Sequence, residues 1–345
     1  MFLSNKSSPK TIFSLDDNGH VQSLDFLKAF SIFTIVVMHM VQSYIEGING
    51  LVVTASSLGG TGAHMFLFAS GFGLYLSYLK HKTSFLEFVK RRLWKIYVPY
   101  IIIVIISFFL PWMYYEQDRV QALLSHIFLY KMFIPRYEES LGAQLWYIST
   151  LFQLYLLFIP LCKLREKVSG KYFITGAFII SMCYSFFIVA TGLSSERIFN
   201  SSCIQFIWEF CLGMEIARLL KSGKKLELST LQLFIIAIIG LGMDGLIAIK
   251  IPSFKAFNDI FASFGYMAVA LLLYRLFGNA TKKLWKDFCK YSYEWYLVHM
   301  AVFSTMWLIA PNGLNKQLLF GIFVILISYY VAVVYWYLVH RVIRV

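Results

Sequence analysis

The sequence predicts an all-α polytopic membrane protein, and three observations carry that reading. First, 59% of the residues are hydrophobic and only 14% are charged, against roughly 25% charged in a soluble globular domain. Second, windows of about 20 mostly apolar residues, long enough to cross a hydrocarbon core about 30 Å thick, recur along the chain. Third, Lys and Arg gather between alternate windows, as they do in short cytoplasmic loops.

Taken in order, about ten transmembrane helices are expected near 24–43, 58–79, 96–115, 144–162, 172–192, 203–220, 229–249, 257–277, 289–310 and 318–340, each bounded by polar, Gly or Pro residues. The first is weakly apolar at its start, where Asp25 and Lys28 stand. The stretch 118–135 is amphipathic and is expected to lie along the interface. Residues 1–23 form a polar N-terminal segment without the apolar core of a signal peptide. The first span is therefore expected to act as an uncleaved membrane signal, with a single bundle over 24–340 and a short tail at 341–345.

With the N-terminus inside, the segments expected in the cytoplasm hold 23 Lys and Arg, among them Lys80 to Lys95, Lys163 to Lys171, Arg218 to Lys225 and Arg275 to Lys290. The opposite side holds seven: Arg119, Lys131, Arg136, Arg197, Lys250, Lys255 and Lys316. Both termini are therefore expected in the cytoplasm. The same pattern accounts for the net charge of +13 by membrane edges, so nucleic acid is not an expected partner.

The common soluble chemistries find no footing. No Gly-rich phosphate loop, H-E-x-x-H or G-x-S-x-G pattern occurs. The five cysteines (Cys162, Cys183, Cys203, Cys211 and Cys289) have no metal-ligand spacing and read as small packing residues. No metal site is expected.

Polar residues inside apolar helices are costly, which makes them candidates for function. Lys28 and His39 are eleven residues apart, about three full turns and a rise of roughly 16 Å, so they share one helix face. A cation near the cytoplasmic side and a deep imidazole would then look into one cavity; the plain alternative is that Lys28 snorkels and His39 bonds a neighbouring helix. A second cluster, Lys90, Arg91, Arg92 and Lys95, precedes the third span. It is either a phosphate-recognising group or an ordinary positive-inside anchor.

The chain resembles the acyltransferase 3 family of bacterial membrane acyltransferases, which modify surface carbohydrates and antibiotics. The likeness runs in order over most of the sequence. Leu24 to Ala29 with His39 resembles the family's first-helix motif of a basic residue, ten residues and a histidine. Gly62 to Phe72 resembles its second-helix run, and Arg91-Arg92-Leu-Trp-Lys95 to Pro99 its basic stretch. Trp146 to Pro160 is similar to its tryptophan-led span, Phe210 to Met214 to its F-x-x-G-x stretch, and Ser292-Tyr293 to His299 to its S-Y-x-x-Y-L-x-H signature. Two departures are the Lys at position 28, usually Arg, and Leu151-Phe152, where a glutamate pair is common. The hydrolase-like domain that some members append is not expected.

The resemblance implies an acyl-coenzyme A donor, usually acetyl, and a hydroxyl or amine acceptor on a carbohydrate-like molecule, in a bacterial plasma membrane. Arg91, Arg92 and Lys95 would meet the donor's phosphates. His39 would act as general base, with a transient acyl-His as the other mechanism, and Asp25 would hold Lys28 in register. Ser292, Tyr293, His299 and Trp146 are expected to line the cavity. His64 is a further deep histidine, and Glu209, Glu215, Asp244 and Glu294 read equally well as helix-packing ion pairs. The rival class is a transporter or exporter, and a homo-oligomer is left open.

Overall fold

The computed structural model describes residues 10–45, 49–113, 118–251 and 254–343; Lys6 and Arg344, counted above among the cytoplasmic basic residues, lie outside them. Fifteen α-helices follow in order: α1 (Gln22–Tyr44), α2 (Gly50–Ser57), α3 (Gly62–Lys80), α4 (Phe85–Arg92), α5 (Val98–Phe108), α6 (Arg119–Ile127), α7 (Trp146–Lys167), α8 (Gly170–Ala190), α9 (Arg197–Asn200), α10 (Cys203–Lys221), α11 (Thr230–Lys250), α12 (Lys255–Phe277), α13 (Lys282–Lys290), α14 (Ser292–Trp307) and α15 (Leu314–Ile343). One short antiparallel ribbon interrupts them, β1 (Thr11–Phe13) against β2 (Leu226–Glu227).

Each of the ten expected spans falls on a helix, but among the described residues only six helices are long and apolar enough to cross a membrane: α1, α7, α8, α11, α12 and α15. The other four positions are taken by α3, α5, α10 and α14. Burial explains why α3 and α10 are less apolar. Thirteen of the nineteen residues of α10 are buried and twelve of the nineteen of α3, whereas only five of twenty-one are in α8 and in α11. A helix facing protein can carry Glu209 or Ser70; one facing lipid cannot.

The third expected span is the least accurate. Its helix runs on from α4 through one π-helical turn, Leu93–Tyr97, into α5, which stops at Phe108. The basic stretch is thus helical throughout and not a loop before a span. Residues 10–23 also differ from the expected polar segment. Phe13 is buried against Phe68 and the Ser23 hydroxyl donates to Ile12 O at 2.5 Å.

The centre of the bundle is the contact of α3 with α10. A Cβ on Gly71 would collide with the Phe210 carbonyl, and one on Gly213 with the Phe68 carbonyl. Only glycine lets the two backbones approach this closely, the small-residue device of membrane helix pairs. Gly240 and Gly265 do the same for α11 and α12. Around this centre α1 runs parallel to α14: His39 pairs with His299 and the Tyr44 hydroxyl donates to Phe303 O, a nearly constant offset along both helices.

Gly213→Leu is expected to lower the thermal unfolding midpoint of the purified protein clearly, since overpacking costs about 1–3 kcal/mol. Gly242→Ala, where a Cβ meets nothing within 4 Å, should leave the midpoint unchanged or raise it. Size-exclusion profiles recorded after heating distinguish the two; equal midpoints would contradict the packing argument.

Candidate active site

Two stripes of side chains face each other along α1 and α14. On α1, Lys28, Ile35 and His39 are spaced by seven and four residues, which returns each to nearly the same face. On α14, Ser292, Tyr296 and His299 form the matching stripe, with Cys289 just before it. Between the stripes and α3, α7 and the π-helical turn lies a cavity of about 500 Å³. It opens beside the exposed Ser77 and Lys95 and closes against the buried Ala63, Tyr147 and Tyr296.

Three cations line it: Lys28, Arg92 and Lys95. Lys28 is held by Asp25 at 3.0 Å, one turn earlier on α1. Arg92 and Lys95, three residues apart, share a helix face. The Arg92 guanidinium rests on the Phe88 ring at 5.6 Å, and its Nε is buried without a hydrogen-bond partner. A buried donor left unmade costs about 1–3 kcal/mol, so this one suits an acceptor brought by a ligand. Arg91, turned about 100° from Arg92 along the helix, does not line the cavity; it pairs with Glu87 at 2.5 Å on the exposed side.

At the inner end the structure pairs two residues that lie 260 positions apart. His39 Nδ1 is 2.8 Å from His299 Nε2, and the rings stack with centroids 5.0 Å apart. His299 Nδ1 lies 2.9 Å from Trp295 O, and a carbonyl only accepts, so Nδ1 of His299 carries its hydrogen. With both rings neutral, His299 Nε2 then accepts from His39 Nδ1–H. The basic nitrogen of His39 is therefore Nε2, an assignment made from the hydrogen-bond network. His299 is fully buried and His39 partly accessible. Neither lines the cavity, whose wall ends at Ile35 and Tyr296, each about one helical turn before its histidine.

Of the other expected residues, Ser292 and Tyr293 line the cavity, and the Tyr293 hydroxyl donates to Ile96 O at 2.6 Å. Trp146 does not; it lies under Arg197 at 5.5 Å and against Phe206. Its neighbour Tyr147 faces the cavity instead, with Tyr155, Ser70 and Leu151, residues that carry no separate signal in an apolar stretch. Cys289, read from the sequence as packing, is also part of the wall. His64 turns away from His39 to Glu209, and Glu215 pairs with Arg165 at 2.5 Å. Glu294 is buried within electrostatic reach of Lys95.

Residues 119–145 close the inner end from beyond. The stretch expected along the interface keeps an exposed apolar edge at Val120 and Phe128, but it is also folded onto the bundle. The Tyr100 hydroxyl bonds His126 Nδ1 at 2.9 Å, the Tyr97 hydroxyl donates to Ile127 O, and the Tyr296 hydroxyl donates to Gln144 O. Lys131 is fully buried in this cap and donates to the carbonyls of Gly142 at 3.0 Å and Ser140 at 3.3 Å. Burial, with Arg197 adding to it, pushes its pKa down to about 7. Burial, with Lys131 nearby, holds His126 well below the usual imidazole range.

The family model described as an acyltransferase domain matches residues 21–337, nearly the whole chain. No curated protein and no solved structure matches.

The cap should show a pH signature. Above about pH 7 folded Lys131 gives up its proton, whereas the unfolded chain keeps it to about pH 10.4. The unfolded state then binds more protons, so stability rises with pH across that window, by up to about 1.4 kcal/mol per unit. The unfolding midpoint should climb between about pH 7 and 9 and be flatter in Lys131→Met; a wild-type midpoint that falls over this range would refute the assignment.

Proposed function

The chain belongs to the acyltransferase 3 family, and from that premise we propose that it carries an acyl group, acetyl in the simplest case, from cytoplasmic acyl-coenzyme A to a hydroxyl or amine of a carbohydrate-like acceptor at or beyond the membrane. That it is a membrane acyltransferase follows from the family and from its six long apolar helices. The finer reading rests on one observation: a single cavity has three cations around it and stops one turn short of the His39–His299 pair.

That arrangement suits a long polyanionic thioester. The donor's phosphates would meet Arg92, Lys95 and Lys28 through charge-assisted hydrogen bonds, with the buried Arg92 Nε as a ready donor. The thioester arm would fill the cavity between Tyr147, Tyr155 and Tyr293. Its size lies within the range of small-molecule pockets, too small for the nucleotide as well, which keeps the phosphates at the mouth.

His39 Nε2 would then take the proton of the acceptor hydroxyl. The freed oxygen attacks the thioester carbonyl, the tetrahedral oxyanion collapses, the C–S bond breaks, and the departing thiolate takes the proton back from the imidazolium. His299, its tautomer fixed by Trp295 O, accepts from His39 Nδ1–H and orients the ring throughout, as second partners of functional histidines do.

Ten crossings with both termini in the cytoplasm, in a bacterial plasma membrane, complete the proposal. It is supported by the distribution of basic residues and by the parallel course of α1 and α14, which starts both on one side. Reporter fusions at residue 345 and within 119–145 should report opposite sides; the same side for both would overturn it.

Binding separates the two arginines. Arg92→Gln should weaken coenzyme A binding by about tenfold or more, whereas Arg91→Gln should change it little. Cys289 supplies an independent readout, because coenzyme A should protect it from maleimide labelling, read at the peptide level. An equal effect of both substitutions, or no protection, would remove the donor from this cavity.

Chemistry is tested at His39. His39→Ala should lower acyl transfer from acetyl-coenzyme A by about 10²–10⁴-fold at unchanged coenzyme A affinity, and His299→Ala by about 10–100-fold. A His39→Ala protein that is recovered poorly but turns over normally would make His39 a packing residue.

A further inference from the structure

The residues of α13 divide into two sides around the helix. Lys282, Lys286 and Lys290 follow one another by four residues and Lys283 stands seven before Lys290, so all four fall within about 100° of arc. Leu284, Trp285, Phe288 and Cys289 take the opposite side, and Asp287 stands at the edge of the lysine arc. The four lysines are exposed. Among the described residues none of them meets a carboxylate in an ion pair.

The apolar side is pinned to the bundle. Trp285 is buried, with its ring 6.1 Å from Phe26 and 6.2 Å from Tyr274, and its Nε1 donates to Gly278 O at 2.7 Å. Phe288 packs at 5.1 Å on both Trp295 and Tyr329 and at 6.1 Å on Phe33. These contacts hold α13 in one orientation, with its lysines turned outward.

Its neighbours place it at headgroup level. With 30 residues α15 is about 45 Å long and outruns a hydrocarbon core of about 30 Å, so its last turns emerge from the apolar layer. They carry Trp336 and Tyr337, and Lys290 Nζ lies over these rings at 4.4 Å and 6.0 Å and over Tyr291 at 4.8 Å. Trp and Tyr gather where hydrocarbon meets headgroups, and Lys290 stands among them. Arg341, exposed and four residues after Tyr337, follows on the same face of α15. Leu276, Phe277 and Leu284 also remain exposed around the turn from α12 into α13, the apolar edge that a helix lying in the interface offers to acyl chains.

We propose that the lysine face of α13, with Arg341, binds the phosphodiester headgroup of an anionic bilayer lipid. Clustered lysines just beyond a membrane helix attract anionic lipids, and a phosphodiester brings charged acceptors to lysines that no carboxylate neutralises. A soluble phosphate offers the same oxygens but covers neither Leu276, Phe277 nor Leu284; a lipid does both. The site lies outside the cavity yet shares a helix with it, because Cys289 on the inner side of α13 is part of the cavity wall. The inference stands on α13 and its neighbours and survives or fails independently of acyl transfer from coenzyme A.

The test is native mass spectrometry of the purified full-length protein in detergent, titrated with dioleoyl phosphatidylglycerol or dioleoyl phosphatidylcholine. The first lipid should be retained saturably and the second should not. Replacing Lys282, Lys283 and Lys286 together by Gln should weaken that retention by about tenfold or more. Removing equal charge at the exposed Lys163, Lys167 and Lys171 by the same substitution should change it by less than about twofold, since exposed charges beyond a Debye length are screened. If the α13 variant does not fold, acetylation footprinting of the wild type carries the test: Lys282, Lys283 and Lys286 should be protected in phosphatidylglycerol bicelles and not in phosphatidylcholine ones. The proposal is overturned by equal retention of the two lipids, by equal losses in the two triple variants, by unprotected lysines on α13, or by inorganic phosphate alone giving the same protection.

Discussion

The close approach of α3 to α10 is the constraint on which the other parts depend. Gly71 and Gly213 let the two backbones touch, and no larger residue fits at either place. That contact turns one side of α3 toward the cavity, where Ser70 and Ser77 stand. It brings the other side against α10, where His64 meets Glu209. A wider spacing would enlarge the cavity and pull the histidine from its carboxylate at once, so the two polar regions share one packing tolerance. Membrane helices gain little from hydrophobic burial against each other, which makes this exact fit of small residues more important here than in water.

Apolar character is distributed against the usual expectation. The helices that most resemble membrane spans in sequence, α8, α11 and α15, are the peripheral ones, only 28% buried over their apolar windows. The helices that line the cavity, α1, α3, α7 and α14, are less apolar and more enclosed. For this reason a hydropathy reading finds the wall of the bundle, with α1 and α7, more readily than α3, α10 and α14. The four positions on α3, α5, α10 and α14 read, like the other six, as apolar windows bounded by polar, Gly or Pro residues, but those helices are not long and apolar enough to cross by themselves.

Much of the site was legible where helical spacing alone decides. Lys28 and His39, eleven residues apart, do share a face, and Ile35 completes their stripe. Spacing within one helix says nothing about which helix lies opposite, and the pairing of His39 with His299 was visible only as two histidines in separate spans. The run Arg91-Arg92 was ambiguous for a related reason. Neighbouring residues differ by about 100° around a helix, and which of them turns inward depends on how α4 and the π-helical turn sit against α7. The partner of His64 was the least legible, because it comes from α10 and alone reads as an ordinary buried polar residue. His64 was expected to share its depth with His39; the structure gives the two different partners on different faces.

The ribbon that joins the start of the described chain to the segment after α10 carries a consequence of another kind. Thr11–Phe13 pairs with Leu226–Glu227, and Arg275 donates to Leu228 O at 2.5 Å and to Lys10 O at 3.1 Å. The first-made stretch of the described chain is thus completed by residues synthesised more than two hundred positions later. Domains assemble from the N-terminus as synthesis proceeds, so β1 must wait, with one edge unpaired, until α10 has been inserted and its following loop has emerged. The final lock on Lys10 comes only with α12. The ribbon therefore records the order of biogenesis: it closes when the helices between its two strands are in place, and a chain whose insertion stalls midway leaves it open.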